Sequence, residues 1–269
     1  MSRPQPTLEY VLSADGTRIG LERLGAGPPL VVVHGGAADR SRWAPVAPTL
    51  AEQRTLLLVD RRGRGASGDG PAEEYRLRLE VEDIVAVIDA AGAPVTLLGH
   101  SYGALCSLDA LLHTGRIERA LLYEPPFSTP GLPALDVTVI ERMEEQLTEG
   151  DREAALETML VDGAGVDPPT LEIMRRAPAW AARVDAVPTI IREVREVNNY
   201  VLEPSRFAAI TIPVRFLVGT ESAPFLRAAT AAAHAGVAHS DIVELPGQAH
   251  TAMDTAPQLF LDEVLRFLD

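Results

Sequence analysis

Lysine is absent from this chain of 269 residues, so all 24 of its Lys and Arg side chains are arginines. Schiff-base and pyridoxal chemistry that needs a lysine amine is thereby excluded. Cysteine is almost absent too. The single Cys106 cannot close an internal disulfide and has no partner at metal-ligand spacing, which excludes a disulfide framework and a zinc cluster. It reads as a small apolar packing residue. Positive charge is in deficit, with a formal net charge of -14, and a phosphate backbone is bound mainly by clustered cations, so no nucleic-acid partner is expected. No run approaches the ~18 uninterrupted apolar residues of a membrane span. The start also lacks the basic-then-apolar pattern of a secretory signal. The expectation is a cytoplasmic protein with no membrane partner, present as a monomer or homodimer.

What is present is ordinary for a folded protein: 46% hydrophobic and 23% charged residues, with no low-complexity tract. The length suits one domain carrying one sizeable insertion. Short runs rich in branched aliphatics, at 30–33, 55–59, 95–98, 120–123, 214–218 and 241–245, read as strands. Most are apolar on both faces, as central strands of a parallel sheet covered by helices must be. Residues 7–13 and 17–23 flank an Ala14-Asp15-Gly16 turn and read as a hairpin at one edge. Between strands, Leu77, Val81, Ile84, Val85 and Ile88 recur at helical spacing, with Arg78, Glu82 and Asp89 on other faces and Gly92 as the stop. The last helix opens with Pro257 in its first turn and gathers Leu261, Val264, Leu265 and Leu268 on one side.

The alternation of strand and helix breaks at 127–210, where helical patterns such as 135–147 and 152–161 follow one another. Turns at 163–169, Pro178, Pro188 and Pro204 divide this stretch into four short helices. The expected organisation is therefore a core in two parts, 1–126 and 211–269, with 127–210 as a helical cap over the active site.

The sharpest chemical signal is Gly99-His100-Ser101-Tyr102-Gly103, directly after the apolar run 95–98 and before a helical run. Glycines in a strand-to-helix turn push a serine oxygen out of the sheet, and the helix N-terminus offers N–H groups to a developing anion. Ser101 is the candidate nucleophile.

At these residues the chain resembles the α/β-hydrolase superfamily, and the resemblance runs from about residue 8 to the end apart from the cap. It implies a mostly parallel sheet of about eight strands flanked by helices. His34-Gly35-Gly36-Ala37 is similar to the family's oxyanion loop, which implies backbone N–H donors at Gly36 and Tyr102. The stretch from Asp60 to Ser67 resembles the turn after the next strand, where Asp and glycines shape a loop rather than touch substrate. The family's triad order places its histidine late, and His250 in Gly247-Gln248-Ala249-His250 fits that slot. His113, His234 and His239 read as surface or packing residues, while His34, Gly35, Trp43 and His100 are candidates to face substrate.

The acid departs from the commonest pattern, because Ser222 stands where most relatives carry Asp, and Glu221 is one residue short. Glu124, directly after four apolar residues, resembles the position from which haloalkane dehalogenases supply their acid. A carboxylate there is unfavourable unless used or paired. Glu124 is therefore preferred and Glu221 is the alternative.

The implied activity is cleavage of an acyl bond (ester, lactone or thioester) in a small, fairly apolar molecule, without metal or organic cofactor. Dehalogenases and epoxide hydrolases attack alkyl carbon with Asp, whereas a serine there would leave a stable ether. Two alternatives stay open at this point: a non-hydrolytic lyase, cyclase or acyltransferase on the same scaffold, and a silent ligand-binding protein.

Overall fold

The computed structural model describes residues 6–177 and 179–269, so the turn expected at Pro178 lies outside the described residues. Eight strands form one sheet: β1 (Thr7–Leu12), β2 (Arg18–Gly25), β3 (Pro29–Val33), β4 (Thr55–Val59), β5 (Val95–His100), β6 (Ile117–Tyr123), β7 (Val214–Gly219) and β8 (Ser240–Leu245). Their spatial order is β1, β2, β4, β3, β5, β6, β7, β8. β2 runs antiparallel to β1 and β4, and all the other pairings are parallel.

The continuous apolar character of the central strands follows from burial on both faces. Along β3, Leu30 and Val32 enter one core cluster, while Val31 and Val33 enter the other. Helices α1 (Ala47–Leu50) and α12 (Pro257–Leu268) cover the first face. Helices α2 (Leu77–Ala90), α3 (Tyr102–Ala110) and α10 (Pro224–Gly236) cover the second. On α12 the buried apolar residues are Phe260, Leu261, Val264 and Leu268, and Leu265 is half-buried.

Two differences from the expected pattern have physical reasons. On α2, Val85 is half-buried and Val87 is buried, and the carboxylates of Glu80 and Asp83 lie on the buried face. They do so because Arg61 and Arg62 enter beneath the helix and pair with them.

Between β6 and β7 the chain forms α4 (Val137–Thr148), α5 (Arg152–Thr158), α6 (Pro168–Arg175), α7 (Trp180–Asp185), α8 (Val187–Asn199) and α9 (Pro204–Phe207), with a π-helical turn at Met159–Gly163. Among the described residues that is six α-helices where four were expected. Asp136, Asp151 and Asp167 cap the starts of α4, α5 and α6, each accepting a first-turn N–H at 2.9 Å, while α7 and α9 are short pieces of six and four residues. Met143, Leu156, Val187 and Ile190 give this segment an apolar cluster of its own, and Ala37 packs against it.

Candidate active site

Parallel strands bring their C-terminal ends to one edge of the sheet, and β3, β5 and β6 deliver three loops side by side there. After β5, Ser101 takes φ 54° and ψ -128° as it caps α3, and its N–H donates to the Tyr123 carbonyl at 2.8 Å. After β6, Glu124 takes φ 51°. Among the described residues these two are the non-glycine positions with positive φ, a conformation that sterics disfavour and that clusters at functional sites. The loop from His34 to Ala37 lies directly against the turn at Ser101: a Cβ at Gly35 would fall 2.9 Å from Ser101 Cβ, and one at Gly103 would fall 2.3 Å from the His34 carbonyl oxygen. Tyr102 opens α3, which places its N–H among the first-turn donors without an intrahelical acceptor.

His250 arrives on the loop after β8 and donates from Nδ1 to Glu124 Oε2 at 2.5 Å. The Glu124 side chain is 0% exposed, and its other oxygen accepts the Gly219 N–H at 2.7 Å. Glu221 goes elsewhere. Its side chain is exposed, with the Thr220 hydroxyl at 3.5 Å, while its N–H donates to the Gln248 carbonyl. Of the two candidate acids, Glu124 is the one brought to His250.

The histidine loop is held from behind. His100 donates from Nε2 to the His250 carbonyl at 2.7 Å, the Tyr123 hydroxyl donates to the Ala249 carbonyl, and the Ala252 N–H donates to Tyr123 Oη at 3.3 Å. With Nε2–H committed, neutral His100 carries no proton on Nδ1, and burial together with the nearby His250 holds its pKa well below the ordinary histidine value. His34 is also kept neutral, by burial and by the charges of Arg61 and Arg64. Its Nδ1–H donates to the Gly35 carbonyl at 2.7 Å, and Nε2 accepts the Arg61 N–H at 3.1 Å.

These two histidines and Trp43 were candidates to face substrate, and all three are buried in the structure. His34 and Trp43 are 0% and 1% exposed, and Trp43 packs edge-on to the His100 ring with Phe260 beside it. His100 in turn packs on the His250 ring, with centroids 4.6 Å apart. Gly35 is likewise buried against the elbow, and the Tyr102 side chain turns inward, its hydroxyl bonded to that of Tyr75 at 2.9 Å.

A second group went unnoticed in the sequence. Arg61 and Arg64, from the turn after β4, reach under the oxyanion loop and meet Glu193 of α8. In the same turn Asp60 accepts the N–H groups of Arg40 and Ala66, so it shapes the loop as expected. Burial pushes the Glu193 carboxyl up, against the pull of Arg61 and Arg64. Long-range pairing of this kind has no local signal. Only a run of arginines in a glycine-rich turn was available as a hint. Among the described residues, no group of three or more His, Cys, Asp or Glu is placed to hold a metal ion, and no helix is long and apolar enough to cross a membrane.

The chain belongs to the alpha/beta hydrolase family, whose model matches residues 30–263. It is similar along its length to an alpha/beta hydrolase from Sphaerobacter thermophilus, at 33% identity and a TM-score of 0.83, covering 97% of this chain and 100% of that one. The esterase RhEst1 from Rhodococcus sp. ECU1013 is 25% identical with a TM-score of 0.77, covering 97% and 98%. A 2-(acetamidomethylene)succinate hydrolase from Mesorhizobium japonicum is 26% identical over 261 residues, covering 93% of this chain and 91% of the relative.

Proposed function

We propose that this protein is a serine hydrolase that cleaves an ester, lactone or thioester bond of a small, fairly apolar molecule through an acyl-enzyme intermediate. The observation that carries this reading is the buried Glu124 carboxylate set 2.5 Å from His250 Nδ1, beside a serine held at φ 54°. Similarity to an esterase and to a succinate-derivative hydrolase supports an acyl substrate.

In the first half-reaction His250 Nε2 takes the Ser101 proton as Oγ bonds to the acyl carbon, and the carbonyl oxygen becomes an oxyanion held by the N–H groups of Gly36 and Tyr102. Glu124 fixes the Nδ1–H tautomer and stabilises the imidazolium. Collapse of the tetrahedral intermediate breaks the bond to the leaving group, which receives the proton from His250. Water, deprotonated by the same nitrogen, then attacks the acyl-serine and releases the acid. Helices α4 to α9 serve as the cap that shapes the acyl pocket, with Ala37 as its apolar contact on the oxyanion loop.

The test compares Ser101→Ala, His250→Ala, Glu124→Gln and Glu221→Gln for turnover of short p-nitrophenyl esters and for fluorophosphonate labelling. Ser101→Ala should lose both, and His250→Ala should lose turnover. Glu124→Gln should lower kcat about 10⁴-fold by leaving the imidazole in the wrong tautomer. Glu221→Gln should match the wild type. Labelling of Ser101 without turnover of any ester would favour a lyase, cyclase or acyltransferase instead, and full activity in both glutamate variants would overturn the carboxylate assignment.

A further inference from the structure

Three successive carbonyls of the oxyanion loop are gripped by arginine. Arg61 donates from Nε to the His34 carbonyl at 3.1 Å and from Nη2 to the Gly35 carbonyl at 3.2 Å. Arg64 donates to the Gly36 carbonyl from Nη2 at 2.8 Å and from Nε at 3.2 Å. A peptide unit is planar and trans, so the carbonyl of one residue and the N–H of the next point in opposite directions. Anchoring the Gly35 oxygen therefore aims the Gly36 N–H. A cation on the oxygen also polarises the peptide and makes that N–H a stronger donor.

Both guanidinium groups are buried, and each places Nη2 against the same oxygen, Glu193 Oε1, at 2.9 Å from Arg61 and 2.8 Å from Arg64. Arg61 has a second carboxylate, Glu80, at 2.9 Å. Among the described residues Glu193 is the sole carboxylate partner of Arg64. Without Glu193, two buried like charges would face each other with one carboxylate between them, and Arg64 would have no ion pair. The other oxygen, Glu193 Oε2, is buried with no hydrogen-bond partner, and a Cβ at Gly36 would lie 3.2 Å from it. The carboxylate is thus seated directly on the loop.

We infer that Glu193, carried on α8 outside the core, is a positioning residue for the oxyanion hole, acting through Arg61 and Arg64 to hold the peptide planes of His34, Gly35 and Gly36. This rests on the acyl-enzyme reading above. Its role differs from that of its helix neighbour Glu196, which accepts the Leu77 N–H at 2.7 Å and so ties α8 to the core away from the loop.

The test measures kcat and KM for short p-nitrophenyl esters, and inhibition by a trifluoromethyl ketone that forms a hemiketal oxyanion on serine, in wild type, Ser101→Ala, Glu193→Gln, Glu193→Asp and Glu196→Gln. Glu193→Gln should lower kcat about 10- to 100-fold, short of outright loss of an oxyanion donor, with KM held within about twofold. The ketone should weaken by the same factor, because it makes the same oxyanion contacts. Glu196→Gln should change kcat less than about twofold, since its contact lies off the loop. Glu193→Asp keeps the charge but draws the carboxylate back by one methylene. It should show an intermediate loss with the same matched weakening of the ketone, and it gives the reading if the Gln variant does not fold. Wild-type kcat in a folded Glu193 variant, equal losses from Glu193→Gln and Glu196→Gln, or unchanged ketone affinity would each overturn the inference. Turnover surviving in Ser101→Ala would instead sink the acyl-enzyme reading itself. If Ser101→Ala is dead and Glu193→Gln behaves as wild type, only the role of Glu193 falls.

Discussion

Positive φ at Ser101 and Glu124 places both side chains where a relaxed backbone would not, and the surrounding hydrogen bonds hold them there. The histidines divide their labour by proton count. His34 and His100 are buried and neutral, each with one ring N–H committed to a carbonyl, whereas the His250 side chain is 30% exposed. Neutral burial has a consequence for stability. A histidine whose folded pKa lies well below its unfolded value contributes stability that is present above the unfolded pKa of 6.5 and is lost as pH falls, because the unfolded chain takes up a proton the native one refuses. For His34 that loss sets in between pH 7 and pH 5. Urea unfolding of wild type and His34→Gln at the two pH values should show the gap between them narrower at pH 5 than at pH 7. A gap that does not change would mean that His34 titrates in the native state as it does in the unfolded chain. Other groups, including Asp83, which burial pushes up to about 6, titrate in both proteins and cancel.

At this scale Ser101, His250 and Glu124 were legible because each sits at the end of an apolar run that marks a strand. Arg61, Arg64 and Glu193 were not. The glutamate lies 132 and 129 positions from its partners, and charges in a turn read locally as solvated.

Among elements, the parallel sheet dictates the site, since one edge of it receives the loops after β3, β5 and β6 together. That sheet was legible from uninterrupted apolar runs. The buried charges on α2 were not, because periodicity reports apolar faces and is silent about a carboxylate buried by an ion pair. The number of helices in 127–210 was underestimated for a related reason: α7 has six residues and α9 four, too few to display a helical period in sequence. α3 lies hard against the end of β3, where a methyl at Gly103 would meet the His34 carbonyl at 2.3 Å. Backbone on both sides cannot yield, so Gly103→Ala should destabilise by about 2 to 3 kcal/mol, as overpacked cores do. It should also lower kcat by shifting the elbow against the oxyanion loop. Thermal unfolding and ester turnover measure the two effects, and a variant with wild-type stability would contradict so close an approach.

For the whole molecule, the proposed function has the core supplying the nucleophile, base and acid, and the segment between β6 and β7 supplying the cover together with the Glu193 carboxylate that reaches back to the loop after β3. Chemistry and cover are thereby tied by charge as well as by apolar packing. All of this depends on Ser101 carrying the acyl group during turnover. The most direct measurement is an acid quench of the enzyme within its first turnover of a p-nitrophenyl ester, followed by intact mass and peptide mapping. One acyl group per chain should be found on the peptide containing Ser101. Product released with no acyl-protein at any time, or an acyl group on another residue, would contradict it.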